Sequence, residues 1–185
     1  MLKEVLQFLK HPVYEPDENR DLGYRITVFV RLLILSLAIS IVIGIVIGGL
    51  ESLVNIDLGQ HAMDLLLEQY SLTFIGFLAI VVAPLLEEFF FRGPLVFFKK
   101  SSFFKLIFYL FTLAFGFYHI TNFEITTTIL VLSPLLVAPQ LSVGVFLGFI
   151  RVRFGLIWAI LLHACYNLVL VGPILLLRVL DIPLE

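Results

Sequence analysis

The sequence predicts an all-α fold, a polytopic bundle of about five transmembrane helices, one of them broken, around a polar cavity within the membrane. Three observations carry that expectation. Of 185 residues, 61% are hydrophobic and only 14% charged, with a mean hydropathy of +1.09, against about 25% charged in ordinary soluble domains. The apolar residues are gathered into runs long enough to cross a hydrocarbon core roughly 30 Å thick. The basic residues cluster beside alternate connections between those runs, as they do in proteins that cross a membrane repeatedly.

Residues 1–26 form a charged N-terminal segment that includes Lys3, Glu4, Lys10, Glu15, Asp17, Glu18, Arg20, Asp21 and Arg25. The apolar run behind it has no small-residue cleavage site, so it reads as a retained anchor rather than a signal peptide. Apolar stretches then fall at roughly 27–50, 71–98, 103–120, 126–150 and 154–177, within a single membrane-embedded domain over 27–180. In the first, Gly44 and Gly48 have the spacing of a small-residue helix-packing face, with Gly49 beside them. The fourth is interrupted by Pro134 and Pro139, which predicts a broken helix or two half-spans. The phenylalanines at 89–91, 97, 98, 103 and 104 are expected to face lipid or line an apolar groove. His11 and His61 lie in polar segments and carry no assigned role. Cys165 is the single cysteine; it can form no disulfide within the chain and reads as a small packing residue.

The connections give an orientation. Residues 51–70 contain Glu51, Asp57, Asp64 and Glu68 but no Lys or Arg. Lys99, Lys100 and Lys105 flank one of the other loops, and Arg151 and Arg153 flank another, while Lys3, Lys10, Arg20, Arg25 and Arg31 lie at the N-terminal end. For five spans this places the N-terminus in the cytoplasm, with only Arg178 dissenting. The net charge of −2 and the lack of a basic stripe argue against a nucleic-acid partner; the lipid bilayer is the expected one.

Ionisable side chains inside apolar spans cost about 2.5–3.5 kcal/mol each on insertion, so they default to functional candidates. Here they gather in three places: Glu87, Glu88 and Arg92 in the second span, His119 at the end of the third, and His163 with Asn167 in the fifth. Glu88 and Arg92 stand at i and i+4 with the acid first, the favourable order for an ion pair on one helix face. Glu87 is rotated about 100° from its neighbour and points elsewhere. His163 and Asn167 are also i and i+4. At 1.5 Å per residue, Glu87 lies about 18 Å from Lys99, His119 about 21 Å from Lys105, and His163 and Asn167 about 15 and 21 Å from Arg153. Separate helices thus bring polar groups to similar depth, and one shared cavity is expected.

Glu87-Glu88-x-x-x-Arg92, Phe115-x-x-x-His119 and His163-x-x-x-Asn167 resemble, in order, the signature motifs of the CAAX-protease and bacteriocin-processing (Abi) family. The stretch from Gly144 to Asn167 is similar to that family's terminal block, and the resemblance covers about residues 71–170. Pro94 after Gly93 departs from the pattern and predicts a bend at the end of the second span; the N-terminal part is shorter than in longer members. The resemblance implies a membrane-embedded endopeptidase. In it Glu87 is the general base, His119 holds and activates the attacking water, and His163 and Asn167 donate to the tetrahedral oxyanion, with Glu88 and Arg92 supporting the site's charge and geometry. These residue types suit those tasks.

Two alternatives stand beside this. A zinc-dependent version would take Glu87, His119 and His163 as three ligands with an open position for water; no His-Glu-x-x-His helix is present, and the expectation without a metal or other cofactor is preferred. The other is a non-catalytic membrane immunity or scaffold protein. A transporter is disfavoured, because no inverted repeat or pair of broken helices is visible. The expected partner is a peptide or membrane-protein substrate, with a lipid-modified one among the options, presented by a cytoplasmic or intramembrane segment, and the expected location is a prokaryotic plasma membrane.

Overall fold

In the computed structural model, residues 1–54, 58 and 62–180 are described; Asp57, His61 and the side chain of Asp64 lie outside that set. A short amphipathic helix, α1 (Leu2–Lys10), precedes the long α2 (Leu22–Val54); α3 (Ala62–Gln69) follows, then α4 (Leu72–Phe77). A π-helical turn over Leu78–Val82 joins α4 to α5 (Ala83–Phe91), and a 3-10 helix continues over Gly93–Phe98. Next come α6 (Phe104–Tyr118), a 3-10 turn over His119–Asn122, α7 (Thr127–Leu136), α8 (Ala138–Phe154) and α9 (Leu156–Val179). Five of the resulting rods are long and apolar enough to cross a membrane: Leu22–Val54, Leu72–Phe98, Phe104–Asn122, Thr127–Phe154 and Leu156–Val179. The predicted all-α bundle is borne out.

Local chemistry explains the boundaries. Helix α2 begins upstream of its apolar run because Asp21 caps it, accepting the Tyr24 N–H at 2.7 Å. The bend expected near Gly93-Pro94 appears as the change from α5 to the tighter 3-10 coil. The fourth span is broken at Val137, yet the helical ladder runs through the break, from Val137 N to Ser133 O at 3.0 Å and from Leu141 N to Val137 O at 2.9 Å. It is one interrupted rod. Gly155 turns α8 into α9 with a φ of 102°, a conformation that favours glycine.

The centre of the bundle is α8, packed on α2, α6, α9 and α1. Val143, Phe146, Leu147, Phe149 and Ile150 form its core together with Leu32, Phe115 and Leu162. Gly148 is required there, because a Cβ would run into the Phe108 ring. The outside is apolar as well: Ile34, Val42, Ile45, Leu106, Leu110, Val131 and Ile157 are all exposed, as side chains solvated by lipid must be. The phenylalanine patches divide. Phe89, Phe90, Phe97 and Phe103 face outward, while Phe104 is buried and Phe91 packs edge-on against Phe115.

Two expectations change. Among the described residues nothing packs on Gly44, Gly48 or Gly49, for a Cβ at any of them would meet nothing within 4 Å; Gly44 borders a cavity instead. Arg151 is not a loop charge either. It turns inward, 7% exposed, and its Nε donates to Arg92 O at 3.0 Å.

The N-terminal segment is fastened to the same end of the bundle as the α8–α9 turn. Phe8 sits edge-on to Phe108 and Phe149 at 4.9 and 5.4 Å, and the Tyr109 hydroxyl donates to Leu9 O at 2.6 Å. Arg153 ties it electrostatically, donating to Glu4, Asp17 and the Tyr24 hydroxyl. Burial pushes the Asp17 carboxyl up, but the Asn19 N–H, the Tyr24 hydroxyl and the Arg153 guanidinium donate to it and hold it below the usual carboxylate range.

A carboxyl depressed in the folded state stabilises fully above its unfolded value of about 3.9, and that stabilisation is lost as pH falls through the lower folded value. Asp17→Asn is therefore expected to lower the unfolding midpoint in detergent at pH 7 by roughly 2–4 °C, as for about 1 kcal/mol. Melting both proteins at pH 7 and pH 3 checks this, since the gap should narrow at the lower pH.

Candidate active site

The geometry of the second span starts with a proline. Pro84 lies in the first turn of α5 and has no N–H to give to a preceding carbonyl. The helix meets it with a π turn, in which the Ala83 N–H reaches back to Leu78 O. In that register the next N–H would belong to Pro84 and the next carbonyl to Ala79, so Ala79 O is left without a helical donor. Asn167 supplies one: its Nδ2 donates to Ala79 O at 2.8 Å. The fifth span is thus latched to the defect that presents Glu87 and Glu88.

Glu88 is fully buried, and its Oε1 accepts from Arg92 Nη1 at 3.1 Å. The Arg92 guanidinium lies 3.8 Å above the Phe115 ring, and its Nη2 donates to Gly144 O at 3.3 Å. Gly144 is a close-approach position, because a Cβ there would press on Arg92, Phe115 and Thr112. Glu88 is more than the partner of Arg92, however. The same Oε1 stands 3.0 Å from His163 Nδ1, so the side chain assigned from sequence to charge support also fixes an imidazole.

These contacts determine the histidine tautomers. A carbonyl can only accept, so His119 Nδ1, 2.9 Å from Phe115 O, carries the proton. A carboxylate paired with a guanidinium likewise accepts, so His163 Nδ1 carries one too. In the neutral rings both Nε2 atoms present lone pairs. Glu87 Oε2 lies 3.7 Å from His119 Nε2 and 3.8 Å from His163 Nε2. It is buried and has no hydrogen-bond partner among the described residues. Phe115 braces this arrangement, with its ring edge-on to His119 and His163 at 4.8 and 5.7 Å.

Glu87, His119, His163 and Asn167 all line one cavity of about 620 Å³, a volume typical of small-ligand pockets. Gln140 and Tyr166 line it as well. Both are polar residues within apolar runs, the signal that singled out the others, and sequence reasoning passed them over. The cavity opens toward α3 and the 119–122 turn, where Leu66, Thr121 and Asn122 form its wall. That is the end away from the N-terminal segment. As for a metal, the donor set is chemically suitable for zinc. Among the described residues, however, no group of three or more His, Cys, Asp or Glu side chains is arranged to hold an ion.

Two stability predictions follow from these contacts. Arg92→Met strands a buried carboxylate and should destabilise the protein by roughly 3–5 kcal/mol, while adding Glu88→Met should recover part of that loss; thermal unfolding in detergent measures both. Asn167→Ala should cost about 1–3 kcal/mol by orphaning Ala79 O. Pro84→Ala restores an N–H to the helix, so the penalty for Asn167→Ala should shrink in that background, which a double-mutant cycle reads directly.

No curated protein matches the chain, and neither does any solved structure. The family described as Rce1-like, type II CAAX prenyl endopeptidase, matches residues 69–169. The matched stretch holds all three motifs and covers more than half of the chain. It starts with the end of α3 and ends within α9, so Glu87, His119, His163 and Asn167 all lie inside it. An integral membrane protein with this site and this match belongs to the Rce1-like family of type II CAAX prenyl endopeptidases.

Proposed function

We propose that the protein hydrolyses a peptide bond with a water molecule activated by Glu87 and without a metal. The observation that carries this is the trio of atoms around Glu87 Oε2, a buried acceptor without a donor among the described residues, flanked at 3.7 and 3.8 Å by two imidazole Nε2 atoms. A single water oxygen can sit within hydrogen-bond distance of atoms spaced this way, giving one hydrogen to Glu87 and the other to His119 Nε2.

The chemistry then follows. Glu87 takes a proton as the water oxygen attacks the scissile carbonyl, and a tetrahedral oxyanion forms. His163 donates to that oxyanion from Nε2 when it carries a proton on both nitrogens, with Glu88 accepting from Nδ1. Asn167 contributes from its second amide N–H, the first being held by Ala79 O. Glu87 returns its proton to the leaving amine, so the proton balance closes. His119 is oriented by the Phe115 carbonyl throughout. Glu88 and Arg92 act as positioning residues.

The substrate in this reading is a peptide or a membrane-protein segment, lipid-modified substrates included. The location is a prokaryotic plasma membrane with the N-terminus in the cytoplasm, supported by the basic residues at the N-terminal end of the bundle and their absence from the loops at the other end.

Glu87→Gln should reduce hydrolysis by at least about 10²–10⁴-fold, the usual contribution of a general base, while leaving the fold intact. Comparative peptidomics of membranes carrying wild type and Glu87→Gln gives the readout. A Glu87→Gln variant that folds normally and fully preserves the cellular phenotype would point to a binding or immunity role, whereas undiminished cleavage would remove Glu87 as the base. Activity should also survive stringent chelation, with no stoichiometric zinc on elemental analysis. Loss on chelation with recovery on adding zinc would instead make Glu87, His119 and His163 the ligand set.

A further inference from the structure

The cavity is closed at one end and open at the other, and its closed end is the one expected to face the cytoplasm. On the side nearer the N-terminal segment the reacting groups rest on a packed floor: Glu88, Phe115, Leu147, Ile150 and Leu162 are all fully buried, and Arg92 nearly so. Below them Arg151 donates to Arg92 O, and its Nη1 bonds the Tyr14 hydroxyl at 3.2 Å. A peptide has no route through that floor.

In the other direction the wall continues. Along the second span it runs from Glu87 through Ala83 and Ala79 to Ile75, about 18 Å at 1.5 Å per residue. Along α9 it rises from His163 through Asn167 to Leu170 and Val171, and beyond His119 it takes in Thr121 and Asn122. Helix α2 contributes Ser40, Ile41 and Gly44 to the wall. Among the described residues nothing comes within 4 Å of a Cβ at Gly44, Gly48 or Gly49.

Charge orients this axis. Lys3, Lys10, Arg20, Arg25, Lys99, Lys100, Lys105 and Arg153 gather at the closed end. The described segments 51–54, 62–71 and 119–126, at the open end, contain no Lys or Arg and carry Glu51, Asp64, Glu68 and Glu124, with Arg178 in the last turn of α9 as the dissenting base. Retention of basic segments on the cytoplasmic side puts the closed end inside and the open end outside.

We propose that the substrate reaches Glu87 from the non-cytoplasmic face, as a peptide segment of a secreted or membrane protein exposed at the outer surface or in the outer leaflet, and not as a cytoplasmic tail. The identity of the occupant as a substrate rests on the proteolytic reading above. The side of access does not, and it can be measured separately.

The test uses single cysteines in a Cys165→Ala background and a membrane-impermeant sulfonated maleimide, applied to intact cells or spheroplasts and to inside-out vesicles. Asn122→Cys and Thr121→Cys mark the mouth, Gly44→Cys marks the wall, and Lys100→Cys marks the opposite end. The mouth and wall cysteines should label from outside, and Lys100→Cys only in inside-out vesicles. Labelling of the mouth or of Gly44→Cys only from the cytoplasmic side overturns the proposal. The same strains, compared with Glu87→Gln by peptidomics, should yield wild-type-specific cleavages in extracytoplasmic segments. Cleavages confined to cytoplasmic segments overturn the access proposal and leave the protease standing. If no cleavage depends on Glu87, the proteolytic reading fails, and the labelling alone decides the side of access.

Discussion

A buried ion pair holds this molecule to one arrangement. Glu88 and Arg92 lie in a bundle whose surroundings, inside and out, are hydrocarbon, and neither can be left alone there at a tolerable cost. Every requirement of the pair fixes another helix. The guanidinium needs Gly144 O and the face of Phe115, which sets α8 and α6 against α5. The carboxylate bonds His163, which sets α9. The backbone carbonyl of Arg92 takes Arg151, which leads on to Tyr14 and so to the N-terminal segment. Hydrophobic burial cannot supply such specificity in a bilayer, because lipid tails are as apolar as leucine.

The same pair separates the two adjacent acids. Glu88 commits Oε1 to Arg92 and His163, and its Oε2 is buried without a hydrogen-bond partner among the described residues. Glu87, one residue earlier and about 100° around the helix, turns its own unpartnered Oε2 to the cavity instead. A low-dielectric site makes that imbalance costly unless something with hydrogens to give is present. The two histidines sharpen it further. With each Nδ1 committed, to Phe115 O and to Glu88, the neutral rings turn lone pairs toward Glu87, and His163 presents an N–H there only when it takes up a second proton. A site built of acceptors is matched to a ligand with protons to give, and water is the smallest such ligand.

Pro84 and Asn167 act together in a comparable way. The proline leaves a carbonyl exposed, the π turn absorbs the local misfit, and an amide from another span closes the gap. The result ties the geometry of the second span to the position of the fifth. A polar residue that would otherwise be a burden in the membrane becomes part of the frame.

Much of this was legible in the sequence, because helices are local. The five spans, the break near Pro134 and Pro139, the bend at Gly93-Pro94 and the Glu88–Arg92 pairing follow from hydropathy, proline chemistry and the 3.6-residue period, none of which needs a partner helix. The depth count also brought Glu87, His119, His163 and Asn167 to one level, and they line one cavity. What sequence could not supply was which helix meets which, and at what rotation. Only the tertiary structure linked Glu88 to His163 and Asn167 to Ala79 O, turned Arg151 inward and left Gly44 on the cavity wall. It also set the direction in which the cavity opens. Each of these is a contact, or the lack of one, between segments far apart in the chain, and helical periodicity carries no information about them.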